Sequence, residues 1–157
     1  MARFLTPLLT ALLLSAACGG TGTPRDARTE DASDAPVEIP DGPCPTGERL
    51  VVTDVTVHDL YIVTLEPDPY VLVEVSEVDE TLTGIIEGTV VMPFMSGGLA
   101  DDHETLPDDR PIYVICRNGT RSGLSAQYLV DHGHLCVYNV LDGIDAWNAA
   151  DYPTVTP

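Results

Sequence analysis

Residues Ile112–Ser122 read IYVICRNGTRS, and this stretch decides how the rest of the chain is read. Four apolar residues, mostly β-branched, run into a cysteine. A short loop holding Gly119 follows, and then an amphipathic stretch opens. Strand, glycine-containing loop and helix in that order place Cys116 at the carboxyl end of a strand, where ligands bind in open α/β sheets. The loop feeds a helix N-terminus, whose unpaired N–H groups and dipole favour an anion. Arg117 and Arg121 add positive charge, so the pattern favours a thiolate at Cys116 and an anionic substrate beside it. The alternative is a buried structural cysteine next to two solvated arginines, although inert cysteines usually have apolar neighbours.

The arginines stand out because the chain is so acidic. Its 157 residues hold 25 Asp and Glu against seven Arg and no Lys, a formal net charge of -18. A pI near 4.1 sets nucleic-acid binding aside, since phosphate recognition needs a basic face. The 44% hydrophobic content supplies a core of ordinary single-domain size.

The first 17 residues read as an export signal. Arg3 provides a positive start, Leu8–Leu14 is apolar but too short for a permanent membrane span, and Ser15-Ala16-Ala17 precedes Cys18. This arrangement resembles the bacterial lipobox, with Ser15 where leucine is usual. The resemblance implies lipidation at Cys18, and Gly19 in place of aspartate implies an outer-membrane rather than an inner-membrane destination. The alternative is a plain secretory signal with a chance cysteine. Residues 18–43 lack aromatics and mix Gly, Pro, Ser, Thr and acids, which suits a flexible tether with a reach of roughly 25–30 Å.

From Cys44 to Pro157 the pattern is that of a folded domain. Leu50–Val55, Tyr70–Val75, Thr89–Met92, Ile112–Ile115 and Cys136–Val140 read as strands. Several are apolar at consecutive positions, as parallel strands covered on both faces require. Thr56-Val57-His58-Asp59 forms a capping box opening a helix to about Leu65. Ser122–His132 is a second helix with Gly133 at its C-terminus, and Asp142 caps a third carrying Trp147, a core aromatic. The expected fold is a small α/β domain: a mostly parallel five-stranded sheet with helices on both faces.

At Cys116-Arg117-Asn118-Gly119-Thr120-Arg121-Ser122 the chain resembles the single-domain rhodanese (thiosulfate sulfurtransferase) family, whose loop has the form C-R-x-G-x-R-S. Gly133–Trp147 (GHLCVYNVLDGIDAW) is similar to that family's G-F-x-x-V-Y-N-L-x-G-G-I-x-A-W, with Asp142 replacing the first glycine of the pair. Leu72–Pro93 is similar to its stretch L-I-D-V-R…G-H-I-P-G-A-x-N-I-P. The resemblance implies a sulfurtransferase in which Cys116 carries a sulfane sulfur as a persulfide. Residues Arg117 to Ser122 would then bind a small anionic donor, and a thiol or cyanide would accept the sulfur. No cofactor or metal is implied, and a monomer is expected. Related phosphatases place five residues between cysteine and arginine; here four separate Cys116 from Arg121, which favours sulfur over a phosphoester.

Glu74, Ser76 and Ile85 stand where the family usually has Asp, Arg and His, and Glu87 replaces a common proline. These departures motivate a second reading, a binding or sensing module with weakened turnover. A third is a thiol-redox protein pairing Cys116 with Cys136 or Cys44. In the rhodanese-like arrangement the strand after Cys44 neighbours the one starting at Cys136, which implies a Cys44–Cys136 disulfide and leaves Cys116 free. Weaker signals are read as follows. Asp101-Asp102-His103-Glu104 is a solvated acidic loop rather than a metal site, and Phe94–Gly98 is a mobile loop. His132 and His134 flank a helix end, and Asn118-Gly119-Thr120 is an incidental glycosylation sequon.

Overall fold

The computed structural model describes residues 51–67 and 69–157. Five strands, β1 (Thr53–Val55), β2 (Val71–Glu74), β3 (Val90–Val91), β4 (Ile112–Ile115) and β5 (Val137–Val140), form one sheet in the order β1-β5-β4-β2-β3. All four pairings are parallel. Central β4 and β5 are buried at every position, which is why their sequences IYVI and VYNV do not alternate.

Helices α1 (Val57–Leu65), α2 (Val78–Thr81), α3 (Gly98–Asp102), α4 (Thr120–Asp131) and α5 (Gly143–Ala149) fill the connections, with a 3₁₀ turn at His103–Thr105. One face of the sheet carries Leu72, Tyr113, Ile115 and Tyr138 against Leu60 of α1 and Ile144 and Trp147 of α5. The other carries Val73, Val114 and Val137 against Leu99 of α3 and Ala126, Leu129 and Val130 of α4. The alternation of β2 and β4 side chains between these two layers follows from the period of two in a strand. Trp147 is fully buried, and its indole N–H donates to the Pro153 carbonyl at 3.0 Å.

The expected α/β architecture is the observed one, and α1 begins as read. Thr56 Oγ1 accepts from the Asp59 N–H at 3.1 Å, and the Asp59 carboxylate accepts from the Thr56 N–H at 2.8 Å. Other boundaries differ. The first strand starts at Thr53, and Cys136 precedes β5 instead of opening it, because its φ of 52° breaks the extended run. Helix α4 begins at Thr120, two residues earlier than expected.

Two segments are corrected outright. The expected loop at Phe94–Gly98 is a turn whose last residue opens α3, and the acidic stretch Asp101–Glu104 is helical rather than a loop: it ends α3 and enters the 3₁₀ turn, with His103 buried while Asp101, Asp102 and Glu104 stay exposed. Asp142 occupies the N-cap of α5, but in a left-handed conformation with no side-chain cap hydrogen bond.

Candidate active site

Strand β4 delivers the chain to Cys116 at the carboxyl edge of the sheet, beside β2, whose ladder continues as the Val75 N–H donates to the Ile115 carbonyl at 2.9 Å. The loop Cys116–Gly119 then turns into α4, so Thr120, Arg121 and Ser122 form its first turn. The sulfur is completely covered. The Ser122 N–H donates to Cys116 Sγ at 3.3 Å, and Ser122 Oγ lies 3.6 Å from the same sulfur while donating to the Gly119 carbonyl at 3.0 Å. One of the unpaired N–H groups of a helix N-terminus thus points at the nucleophile. Asn118 Oδ1 accepts from another, that of Thr120, at 3.2 Å.

The loop is held from below by α5. Its Ile144 and Asp145 N–H groups donate to the Cys116 and Arg117 carbonyls at 2.9 and 3.0 Å. This contact needs glycine on both sides. A β-carbon on Gly143 (φ +62°) would collide with the Cys116 carbonyl oxygen, and one on Gly119 (φ +84°) would lie 2.8 Å from the Asp142 nitrogen. Both positions also have the positive φ that other residues adopt at a cost.

The arginines do not stand free. Arg121 makes a two-point ion pair with Glu80 of α2, Nη1 to Oε2 and Nη2 to Oε1, the latter at 2.8 Å. The guanidinium, with the Glu77 backbone N–H assisting, holds the Glu80 carboxyl down to about 2. Arg117 is more exposed and lies 3.5 Å from Asp145. Glu80 and Asp145 are site residues that sequence reading missed. Glu80 could have been found as the fourth residue of an E-x-x-E capping box, since its carboxylate accepts from the Glu77 N–H at 3.0 Å. Glu77 in turn accepts from the Met95 and Ser96 N–H groups at 3.0 and 3.3 Å, tying the following turn to α2.

Glu74 and Ser76 lie at the end of β2, both buried. The Ser76 N–H donates to Glu74 Oε1 at 3.0 Å, and Ser76 Oγ has no partner. Burial pushes the Glu74 carboxyl up against the opposing effect of that hydrogen bond.

Among the other cysteines, Cys136 is disulfide-bonded and Cys116 is free. Cys18 and the expected partner Cys44 lie outside the described residues, as do the export signal and tether. Cys136 adjoins the start of β4, its carbonyl accepting from the Ile112 N–H at 3.0 Å. Cys116 is therefore at the opposite end of that strand. His103 and His134 also meet at the amino end, Nδ1 to Nε2 at 3.2 Å, with Asp108 3.2 Å from the other His134 nitrogen. His132 donates to the Tyr128 carbonyl at 2.7 Å. Among the described residues no group of three or more metal-ligating side chains is assembled.

A parallel sheet with a cysteine loop at its carboxyl edge, closed by the N-termini of two helices, defines a small cysteine-centred α/β domain. The rhodanese-like domain family matches residues 59–150, and the chain belongs to that family. It is 29% identical over 113 residues to the rhodanese-like/PpiC domain-containing protein 12 of Arabidopsis thaliana, covering 69% of this chain and 38% of that one. It is 44% identical over 45 residues to the thiosulfate sulfurtransferase GlpE of Vibrio cholerae, covering 29% of this chain and 42% of that one. The chain thus spans less than half the length of both. Among solved structures it is similar to a rhodanese-related protein of Thermoplasma volcanium, with TM-score 0.59, 29% identity and coverage of 66% of this chain and 97% of that one. It is also similar to a rhodanese-like domain protein of Staphylococcus aureus, with TM-score 0.55, 27% identity and coverage of 60% and 90%.

Gly143→Ala is expected to destabilise the fold by about 3 kcal/mol or more, because the clash falls on backbone that cannot swing away. Asp142→Gly, which relieves a left-handed non-glycine residue, should instead be neutral or stabilising by up to ~1 kcal/mol. Urea midpoints of the two variants check the pair.

Because folding raises the Glu74 pKa above its ordinary 4.5, folding favours the protonated form. Stability is lost as pH rises through the folded-state value. Glu74→Gln keeps an acceptor for Ser76 and should melt higher than the parent at neutral pH, with the advantage vanishing below about pH 4.5. Paired thermal melts across that range test the sign.

Proposed function

We propose that this protein is a sulfurtransferase that carries a sulfane sulfur on Cys116, taken from thiosulfate or a similar donor and passed to a thiophilic acceptor. The observation that carries the reading is the Ser122 N–H directed at Cys116 Sγ from the first turn of α4, a position where developing negative charge on sulfur is stabilised. The Cys116 thiolate attacks the outer sulfur of the donor, forming a new S–S bond. The donor's own S–S bond breaks, and its electron pair leaves with sulfite or a thiolate. An acceptor thiolate or cyanide then attacks the terminal sulfur of the persulfide and restores the Cys116 thiolate, with no net redox change. Arg121 and Glu80 hold the loop in shape, and Arg117 to Ser122 line the donor's position.

The buried, unpartnered Ser76 hydroxyl and the buried Glu74 support the second reading, a binding or sensing module with weakened turnover. A redox couple between Cys116 and Cys136 is disfavoured because the two lie at opposite ends of β4, too far apart for a disulfide. For the remainder of the chain we propose export and lipidation at Cys18, an outer-membrane anchor with the domain facing the periplasm, and a monomeric state.

Two measurements test this. Incubation with a sulfane donor should add the mass of one sulfur atom to the protein at Cys116, cyanide should then release thiocyanate, and Cys116→Ser should abolish both. Loading without release would favour the sensing module, and loading of neither kind would sink the enzyme. In unreduced protein, peptide mapping should recover Cys44 linked to Cys136, a closure of about 90 residues that stabilises by about 4 kcal/mol in the chain-entropy account. A disulfide containing Cys116 would reinstate the redox reading.

A further inference from the structure

Away from the cysteine loop, three histidines gather at the amino end of the sheet. His103 in the 3₁₀ turn and His134 before β5 are both buried, and His103 Nδ1 lies 3.2 Å from His134 Nε2. A hydrogen bond between two imidazole nitrogens needs one of them bare, to accept. Asp108, 3.2 Å from His134 Nδ1, draws the His134 proton to that side. This contact assigns Nε2 as the acceptor and His103 Nδ1 as the donor. The His132 ring centre lies 4.9 Å from that of His103, and Tyr128 stacks on His132 while meeting His103 edge-on.

One added proton on His103 Nε2 leaves the contact intact. A second, on His134 Nε2, sets N–H against N–H and one buried imidazolium against another, beside the ring of His132. Counter-charge is thin here. Asp102 and Glu104 flank His103 but are exposed, Asp131 accepts from Gln127, and Asp109 is paired with Arg110. Burial lowers the His134 pKa below its ordinary 6.5; Asp108 opposes this, and His103 and His132 reinforce it. Folding therefore favours the neutral ring, and this stabilisation is complete above pH 6.5 and lost as pH falls from there towards the folded value. The two sides of the contact are unequal. The His134 and Gly133 N–H groups donate to the Leu129 and Val130 carbonyls, both at 3.0 Å, which locks the end of α4. His103 follows a helix of five residues in a turn of three, too short to persist without packing.

We propose that the His103–His134 contact is an acid-released clasp: protonation of both rings parts them and frees residues 98–106 from the end of α4. Leu99 and Leu106, the buried apolar anchors of that segment, belong to the same packed layer as Cys116. Release therefore loosens the layer in which the nucleophile is buried. The clasp does not depend on the sulfurtransferase reading.

Amide hydrogen exchange of the full-length protein tests it at about pH 7.5 and about pH 5, on either side of the ordinary histidine value. Each rate is divided by the unfolded-chain rate at the same pH. Protection across residues 98–106 should fall at least about tenfold at the lower pH, the effect of one pKa unit, while β4 and β5 keep theirs. His134→Gln puts an amide where Nε2 lies, and His103→Asn puts one where Nδ1 lies; neither titrates in this range. In either variant the protection of residues 98–106 should be the same at both pH values. Protection of β4 and β5 reports that each variant is folded, and one folded variant suffices. No fall in the parent, or an equal fall in the parent and the folded variant, would overturn the clasp.

Discussion

The fold around the site depends on two backbone turns packed at a distance no side chain tolerates. The cysteine loop after β4 and the turn before α5 approach so closely that Gly143 faces the Cys116 carbonyl oxygen and Gly119 faces the Asp142 nitrogen. That approach lets Ile144 and Asp145 donate to the Cys116 and Arg117 carbonyls. With those carbonyls turned down into α5, the peptide groups of the loop orient their N–H ends upward, and the first turn of α4 can direct the Ser122 N–H at the sulfur. The strands β4 and β5 are adjacent and parallel, so both turns leave the same edge of the sheet. A nucleophile placed on backbone in this way is positioned by the core, since Ile144 and Trp147 anchor α5 against the sheet.

Charge enters as a second layer over this backbone arrangement. Arg121 reaches across to Glu80, so the short helix α2 is joined to the loop by a forked ion pair. Glu80 is also half of the capping box that starts α2, and Glu77, the other half, holds the Met95–Ser96 turn. One chain of contacts therefore runs from the cysteine loop through α2 to the turn before α3. A partly buried two-point pair of this kind specifies geometry more than it stabilises. Arg121 still acts electrostatically on Cys116, so its charge adds to the local dipoles that stabilise an anionic sulfur.

Much of the sheet and the cysteine loop was legible in the sequence, for physical reasons that differ by element. IYVI is apolar at successive positions and VYNV at all but Asn139 because both faces are covered, and that signal survives without any tertiary information. Thr56 and Asp59 make their capping box locally, so the start of α1 was readable. The four-residue helix α2 has no room for a 3.6-residue period, and its role depends on Arg121, 41 residues away. Likewise DDHE reads as solvated acid, yet His103 is buried because His134 and Tyr128 pack around it from α4 and the start of β5. Asp142 matched a cap by residue type, but the close approach at Gly119 forces its backbone left-handed and turns its side chain away from that task.

Three departures from the family's usual residues, Glu74, Ser76 and Ile85, are buried in the structure. Ile85, which stands in place of histidine, is buried and exchanges two backbone hydrogen bonds with Val155, at 2.9 and 2.8 Å, fastening the C-terminal segment to the domain. Ser76, in place of arginine, is buried, and its backbone N–H donates to Glu74 beside it. Ser76 and Ile85 replace a cationic and a polar side chain with a short and an apolar one, Glu74 keeps the acid, and the loop from Cys116 to Ser122 keeps every residue of its motif. An arginine at position 76 would have supplied a counter-charge for Glu74. Without it, burial disfavours the ionised carboxylate against the weaker opposing effects of Ser76 and Arg121. The chemistry of this domain is therefore concentrated in the backbone geometry of one loop, which α5 holds through the Cys116 and Arg117 carbonyls.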